Sequence, residues 1–133
     1  MRVSDVMNTK VQTIPPTLTM QEAAVIFDRY HIDGAPVVDA DNRLIGLITK
    51  SNLIKAQAKL QMDRQVQELM TAKVFTLHGN ASLSELQHAE KIFRYSVFPV
   101  VDDENRPIGI INRTNLVKYL SEKSLLMAEE MQA

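Results

Sequence analysis

The sequence predicts a mixed α/β (α+β) fold made of two β-α-β-β-α units packed about an internal pseudo-two-fold axis. Three observations carry that prediction. The stretch PVVDADNRLIGLIT at Pro36–Thr49 is answered by PVVDDENRPIGIIN at Pro99–Asn112, 63 residues further on. Sliding the chain by 63 without a gap lays Val3–Lys55 on Val66–Lys118, with 18 identities in 53 pairs. Inside each copy, short β-branched runs bounded by turn residues alternate with helix-start signatures. Two copies argue for a pseudo-symmetric pair rather than a solenoid, which needs three or more stacked units. The repeat divides the chain into 1–62, 63–122 and a C-terminal helical extension over 123–133.

Val11–Ile14 is a β-branched run halted by Pro15-Pro16, which predicts a strand followed by a turn. Thr19 and Glu22 have capping-box spacing, so hydroxyl and carboxylate can each satisfy a free amide at a helix start. Ser82 and Glu85 repeat the device. Ala23, Ala24, Phe27 and Tyr30 then recur at helical spacing and predict one buried face, rougher in the second copy, where Glu90 replaces Phe27. Pro36 can open a strand without the loss of a ladder bond. Asp39–Asn42 has turn chemistry, and Leu44–Thr49 completes a hairpin. Gly46 falls mid-strand, where a missing side chain signals close approach by another backbone or a ligand. Ser51–Leu60 returns as a helix.

A unit of about 60 residues buries too little surface to be more than marginally stable alone. The two copies are therefore expected to share a core, as two three-stranded sheets with helices outside and clefts at their junction. In the tail, Leu116, Leu120, Met127 and Met131 recur at helical spacing. They predict one long helix over Asn115–Met131, which either packs across the module or its partner or leads towards an effector domain.

Composition narrows the functional classes. The 133 residues carry a net charge of −1 with both signs interspersed, so no electrostatic footprint for nucleic acid stands out. Without cysteine there is no disulfide framework, thiolate nucleophile or cysteine zinc site. The opening MRVSDVMNTK lacks the apolar region of a signal peptide, and the apolar runs are too short to span a membrane. A soluble, cytoplasmic protein is expected. Asp39, Asp41 and Asn42 do not make a calcium loop, because Arg43 and Leu44 stand where a ligand and a glycine are needed. His31, His78 and His88 lack metal-ligand spacing and read as surface or pocket-rim residues. The seven methionines read as gap-fillers of the core.

With these residues in view, the chain resembles a tandem pair of cystathionine β-synthase (CBS) domains, the Bateman module, over roughly residues 1–122. The signature is Pro36-Val-Val-Asp39 with Gly46-Leu-Ile-Thr49-Lys-Ser-Asn52-Leu53, then Pro99-Val-Val-Asp102 with Gly109-Ile-Ile-Asn112-Arg-Thr-Asn115-Leu116. The resemblance implies a regulatory sensor without catalysis of its own and without a required cofactor. Its ligand would be AMP, ADP, ATP or S-adenosylmethionine in the clefts between repeats, and its assembly a flat homodimer. In that family the Thr or Ser of T-x-x-D/N meets phosphate, the Asp or Asn meets ribose, and the first strand plus the residues before the PVVD proline wall the base. Carried over, the first pocket would use Thr13, Ile14, Ala35, Pro36, Thr49 and Asn52. The second would use Thr76, Phe98, Pro99, Asn112 and Asn115.

Lys50, Lys55, Arg113 and Lys118 lie at or just after the two helix starts and can neutralise phosphate. His31 and its counterpart Arg94 follow the first helix of each repeat, a position compatible with a secondary contact to phosphate. Two departures favour the Thr49 pocket. Asn112 replaces the hydroxyl in the second copy, and both copies carry Asn where many members carry Asp, a weaker grip on a ribose diol by ~1 kcal/mol. The plainer reading is that Thr49 and Ser51 cap the following helix and Asn52 is a first-turn residue without a ligand. Two functions follow: a nucleotide sensor acting on a fused or separate effector, or a dimerising module with empty clefts in a larger regulator such as a transcription factor or transporter. No constellation supports an enzyme.

Overall fold

The structure, a computed structural model, describes residues 2–83, 97–117, 119 and 121. Helix α1, Met20–Tyr30, starts at the predicted capping box: Thr19 Oγ1 accepts from the Glu22 N–H at 3.1 Å, and Glu22 Oε1 accepts from the Thr19 N–H at 3.1 Å. Met20, Ala23 and Phe27 are buried, whereas Tyr30 stays 49% exposed. The helix ends there, with His31 in the left-handed region at φ 52°, so the apolar stripe is one turn shorter than the spacing predicts.

Strands β1, Gly34–Val38, and β2, Leu44–Thr49, pair antiparallel as the first hairpin. Helix α2 follows at Lys50–Ala58 rather than Ser51–Leu60. A short helix α3, Val66–Leu69, and strand β3, Leu77–His78, lead to the second hairpin, β4 (Val97–Val101) with β5 (Pro107–Asn112). Both hairpins shift register at equivalent places, Val37/Val38 and Val100/Val101. Both turn through an asparagine in the left-handed region, Asn42 and Asn105, and an aspartate carboxylate, Asp39 or Asp102, accepts N–H groups two and four residues on. Residues 113–117 open the last helix. Glu85 and the helix expected after it lie outside the described residues, as does most of the predicted C-terminal helix.

Val11–Ile14 does not form the expected strand. Only Ile14 pairs, parallel to Val37, donating to the Pro36 carbonyl at 2.9 Å and accepting from the Val38 N–H at 3.1 Å. Its repeat mate Leu77 pairs likewise with Val100, and there the ladder continues, with Gly79 N–H donating to the Val101 carbonyl at 3.1 Å. The residue equivalent to Gly79 is Pro16, which has no N–H to give. Among the described residues the first sheet therefore has two strands and the second three.

The most consequential packing is an exchange. Val66, which opens the second repeat, is wholly buried in the core of Ile14, Met20, Phe27 and Ile48, with Leu69 and Met70 packed against it. Val3, which opens the first repeat, is wholly buried in the core of Leu77, Phe98, Val100 and Ile111, with Val6 and Met7 beside it. Each leading segment thus completes the other half. Its backbone bonds repeat at the 63-residue offset: Val66 N–H to the Leu18 carbonyl (2.7 Å) and Val3 N–H to the Ala81 carbonyl (2.9 Å), with reciprocal pairs Leu47–Thr71 and Ile110–Asn8. The mid-strand glycines are explained by the same exchange. A Cβ on Gly46 would fall on the side chain of Met70, and one on Gly109 on Met7 with the Asn8 carbonyl oxygen at 3.1 Å. The close approach at Gly46 is made by the side chain of an exchanged methionine rather than by the backbone or ligand the sequence suggests.

The internal two-fold is broken at the hairpin tips. Leu44 N–H donates to the Asn105 carbonyl at 2.9 Å and Asn105 Nδ2 to the Leu44 carbonyl at 3.2 Å. The mirror bond would need an N–H on Pro107, the mate of Leu44.

Gly46→Ala and Gly109→Ala are expected to lower stability by about 1–3 kcal/mol through overpacking. Gly109→Ala should lose more, since a methionine side chain can yield and the Asn8 backbone cannot; urea unfolding measures both. The Arg106 N–H at 2.9 Å, joined by that of Glu104, holds the Asp102 carboxyl below its usual range. Its folded value lies below its unfolded one, so its stabilisation is present above about pH 3.8 and is lost as pH falls through the folded value. Acid unfolding curves of Asp102→Asn should accordingly fall off less steeply below that pH than those of the parent protein.

Candidate functional site

Both hairpins begin at the pseudo-two-fold axis. Gly34 opens β1 and its mate Val97 opens β4, and a Cβ on Gly34 would lie 3.0 Å from Val97 Cγ1. Two side chains would collide there, so one mate is glycine. Beside this contact lies a crevice of about 270 Å³. Three pairs of two-fold mates line it: Thr49 with Asn112, Lys50 with Arg113, and Ser51 with Thr114. Asp33 and Val97 complete the wall. A smaller crevice of about 80 Å³ adjoins it, sharing Asp33, Val97 and Asn112 and adding Lys10, Gln12 and His31 among others. Both halves contribute to each crevice.

The paired T/N-x-x-N motifs form two helix caps. Thr49 N–H and Oγ1–H both donate to Asn52 Oδ1, at 2.8 and 2.9 Å, and Asn52 N–H donates to Thr49 Oγ1 at 3.3 Å. Asn112 N–H donates to Asn115 Oδ1 at 3.1 Å and Asn115 N–H to Asn112 Oδ1 at 2.9 Å. Of the plainer reading, the Thr49 cap is present, and in the second copy asparagine replaces threonine as a cap because its amide oxygen accepts the same bond. The amide of Asn52 adds a long contact, Nδ2 to the Leu69 carbonyl at 3.5 Å, to the exchanged segment. A carboxylate could not donate it.

Of the residues expected to bind ligand, Thr49, Lys50, Asn112 and Arg113 meet at the larger crevice. Asn52 and Asn115 stand behind them in the caps. Ile14, Ala35 and Phe98 have no exposed surface, and Pro36 and Pro99 have under 2%. Their side chains are buried and line neither of these two crevices, with Phe98 edge-to-face with Phe75 at 5.7 Å. Thr13 is exposed and Thr76 half-buried, and neither lines these two crevices. Lys50 is already engaged: Nζ lies 2.7 Å from Asp33 Oδ1, both side chains more than half exposed. Lys55 is exposed on α2 and lines neither crevice. His31 is a rim residue of the smaller crevice, as the sequence suggests. His78 instead receives the Asn80 N–H on Nδ1 at 3.1 Å and meets Asp103 through Nε2 at 2.6 Å. Arg94, His88 and Lys118 lie outside the described residues.

The residue that sequence reasoning missed is Asp33. Its signal was its place in the turn that leads into β1, three residues before Pro36. Among the described residues no group of three or more His, Asp or Glu is placed to hold a metal ion, and no helix is long and apolar enough to cross a membrane.

Two related halves, exchanged leading segments and a shared crevice at the axis define a tandem-repeat module with its pocket at the junction. The CBS domain family matches residues 3–59 and again 66–122, and the chain belongs to that family as a tandem pair. An uncharacterised protein of Methanocaldococcus jannaschii is 34% identical over 92% of this chain, which spans 40% of that protein. Inosine-5'-monophosphate dehydrogenase of the same organism is 32% identical over 88% of this chain, equivalent to 23% of the enzyme. A solved CBS domain pair in complex with 5'-methylthioadenosine and S-adenosyl-L-methionine superposes with a TM-score of 0.82 at 27% identity, covering 92% of this chain and 98% of that one.

Asn52→Ala should lower stability by about 1 kcal/mol in urea unfolding through loss of the cap. Asn52→Asp, which keeps the acceptor and puts negative charge at the helix start, should lose less than Asn52→Ala.

Proposed function

We propose that this chain is a regulatory module that takes an adenosine compound in the crevice between its halves and transmits the bound state to a partner or effector domain, fused or separate. The observation that carries the reading is the crevice itself, lined by two-fold mates from both halves. A ligand touching both halves can favour one relative arrangement over another, which is the requirement for a switch. The likeness to a CBS pair solved with two adenosine compounds supports the ligand class. The chain is read as a binder, since the crevice side chains are caps, amides and paired charges.

A homodimer suits the surface. Ile54 on α2 is 70% exposed and Val117, its mate on the last helix, is 65% exposed, and a two-fold pair of apolar residues matches an isologous contact. That pair also favours a second reading, in which the module dimerises a larger regulator with its clefts empty. The caps fit this alternative too, because Thr49 and Asn52 satisfy each other without a ligand.

Calorimetric titration with AMP, ADP, ATP, 5'-methylthioadenosine and S-adenosylmethionine separates the two. The sensor reading predicts saturable binding of at least one of them, and a loss of roughly tenfold for phosphate-bearing ligands in Thr49→Ala. No binding of any of the five by folded protein overturns the sensor and leaves the dimerising module.

A further inference from the structure

Asp33 stands at the junction of the two crevices and lines both. It is a carboxylate where a phosphate-binding site wants cations, and it occupies Lys50, whose ammonium lies 2.7 Å away. The larger crevice thus presents both signs in its lining: Asp33, with Lys50 and Arg113. A nucleotide phosphate would have to compete with Asp33 for Lys50 while meeting a like charge at close range. A zwitterionic amino-acid tail also displaces Asp33 from Lys50, but it leaves neither charge without a partner. Its ammonium can pair with Asp33 and its carboxylate with Lys50 and Arg113, each a charge-assisted hydrogen bond. Asn112 fits the same chemistry, since an amide offers both a donor and an acceptor.

We propose that Asp33 sets ligand specificity, selecting an adenosine compound that carries an amino-acid tail, of the S-adenosylmethionine kind, over adenosine phosphates. This rests on the sensor reading above and names the class of ligand within it. The recognition is ionic and made at the tail, so the adenosine itself is common to favoured and disfavoured ligands. Arg113 and the two helix starts supply positive character to either ligand. Among the described residues that line the larger crevice, Asp33 is the one carboxylate and so the one that distinguishes them.

The test is calorimetry of the full chain and of Asp33→Asn with S-adenosylmethionine and AMP. A second variant, Asp33→Ser, installs the residue found at the repeat-equivalent position 96. The Asp33 side chain is 55% exposed, so both variants should fold, which melting curves verify. The parent protein is expected to bind S-adenosylmethionine more tightly than AMP. In either variant the affinity ratio of the two should drop by about tenfold or more, because the tail ammonium loses its partner and Lys50 is released for phosphate. Tighter binding of AMP by the parent protein, or a ratio unchanged in both variants, overturns the assignment to Asp33 while the sensor stands. Binding of neither ligand by the parent protein overturns this assignment, and absence of binding across all five ligands overturns the sensor with it.

Discussion

Val66 and Val3 are both wholly buried, each in the core of the half to which it does not belong in sequence, and the rest of the architecture depends on this reciprocal loan. Neither half closes its own core. A unit of this size sits near the lower limit of what hydrophobic burial can stabilise alone, and exchange makes the two halves share one fate. Met70 resting on Gly46 and Met7 on Gly109 fix how closely each borrowed segment can lie on its host strand. The glycines are a packing requirement of the exchange, met where a flexible thioether fills the space that a Cβ would take.

The crevice is a consequence of this arrangement. The exchanged segments and the touching hairpin tips hold the halves at both ends, and the hairpin bases meet at Gly34 and Val97. Beside that point two helices begin, each capped by its own side chains, so the wall of the crevice combines backbone amides with Lys50, Arg113 and Asp33. The charge in this lining is mixed, and the proposed ligand selectivity rests on the balance of its signs.

Much of the fold was legible because a repeat is self-checking: Thr19 with Glu22, the two hairpins and the asparagine turns all follow from local chemistry seen twice. The exchange was not legible. A shift of 63 maps Val3 onto Val66 whether each packs on its own half or on the other, so the repeat is blind to that choice. The strand at Val11–Ile14 came down to the single pairing residue Ile14, because Pro16 lacks the N–H with which Gly79 extends the second ladder, although the β-branched run itself pointed to a strand. At the site, the T/N-x-x-N spacing found the helix starts but could not divide capping from binding, since both use the same oxygens. The residues expected to wall the base were placed by resemblance, and the side chains of Ile14, Ala35 and Phe98 are buried in the cores. Asp33 belongs to no repeated feature, which is why the comparison of halves passed over it.

The central claim is that one ligand touches both halves at the axis. Amide chemical-shift mapping of the isotope-labelled protein during titration with S-adenosylmethionine tests it most directly. The account predicts a contiguous set of saturating shifts drawn from both halves, centred on Asp33, Thr49, Val97 and Asn112. Shifts confined to one half, or none up to millimolar ligand in a folded sample, would contradict it.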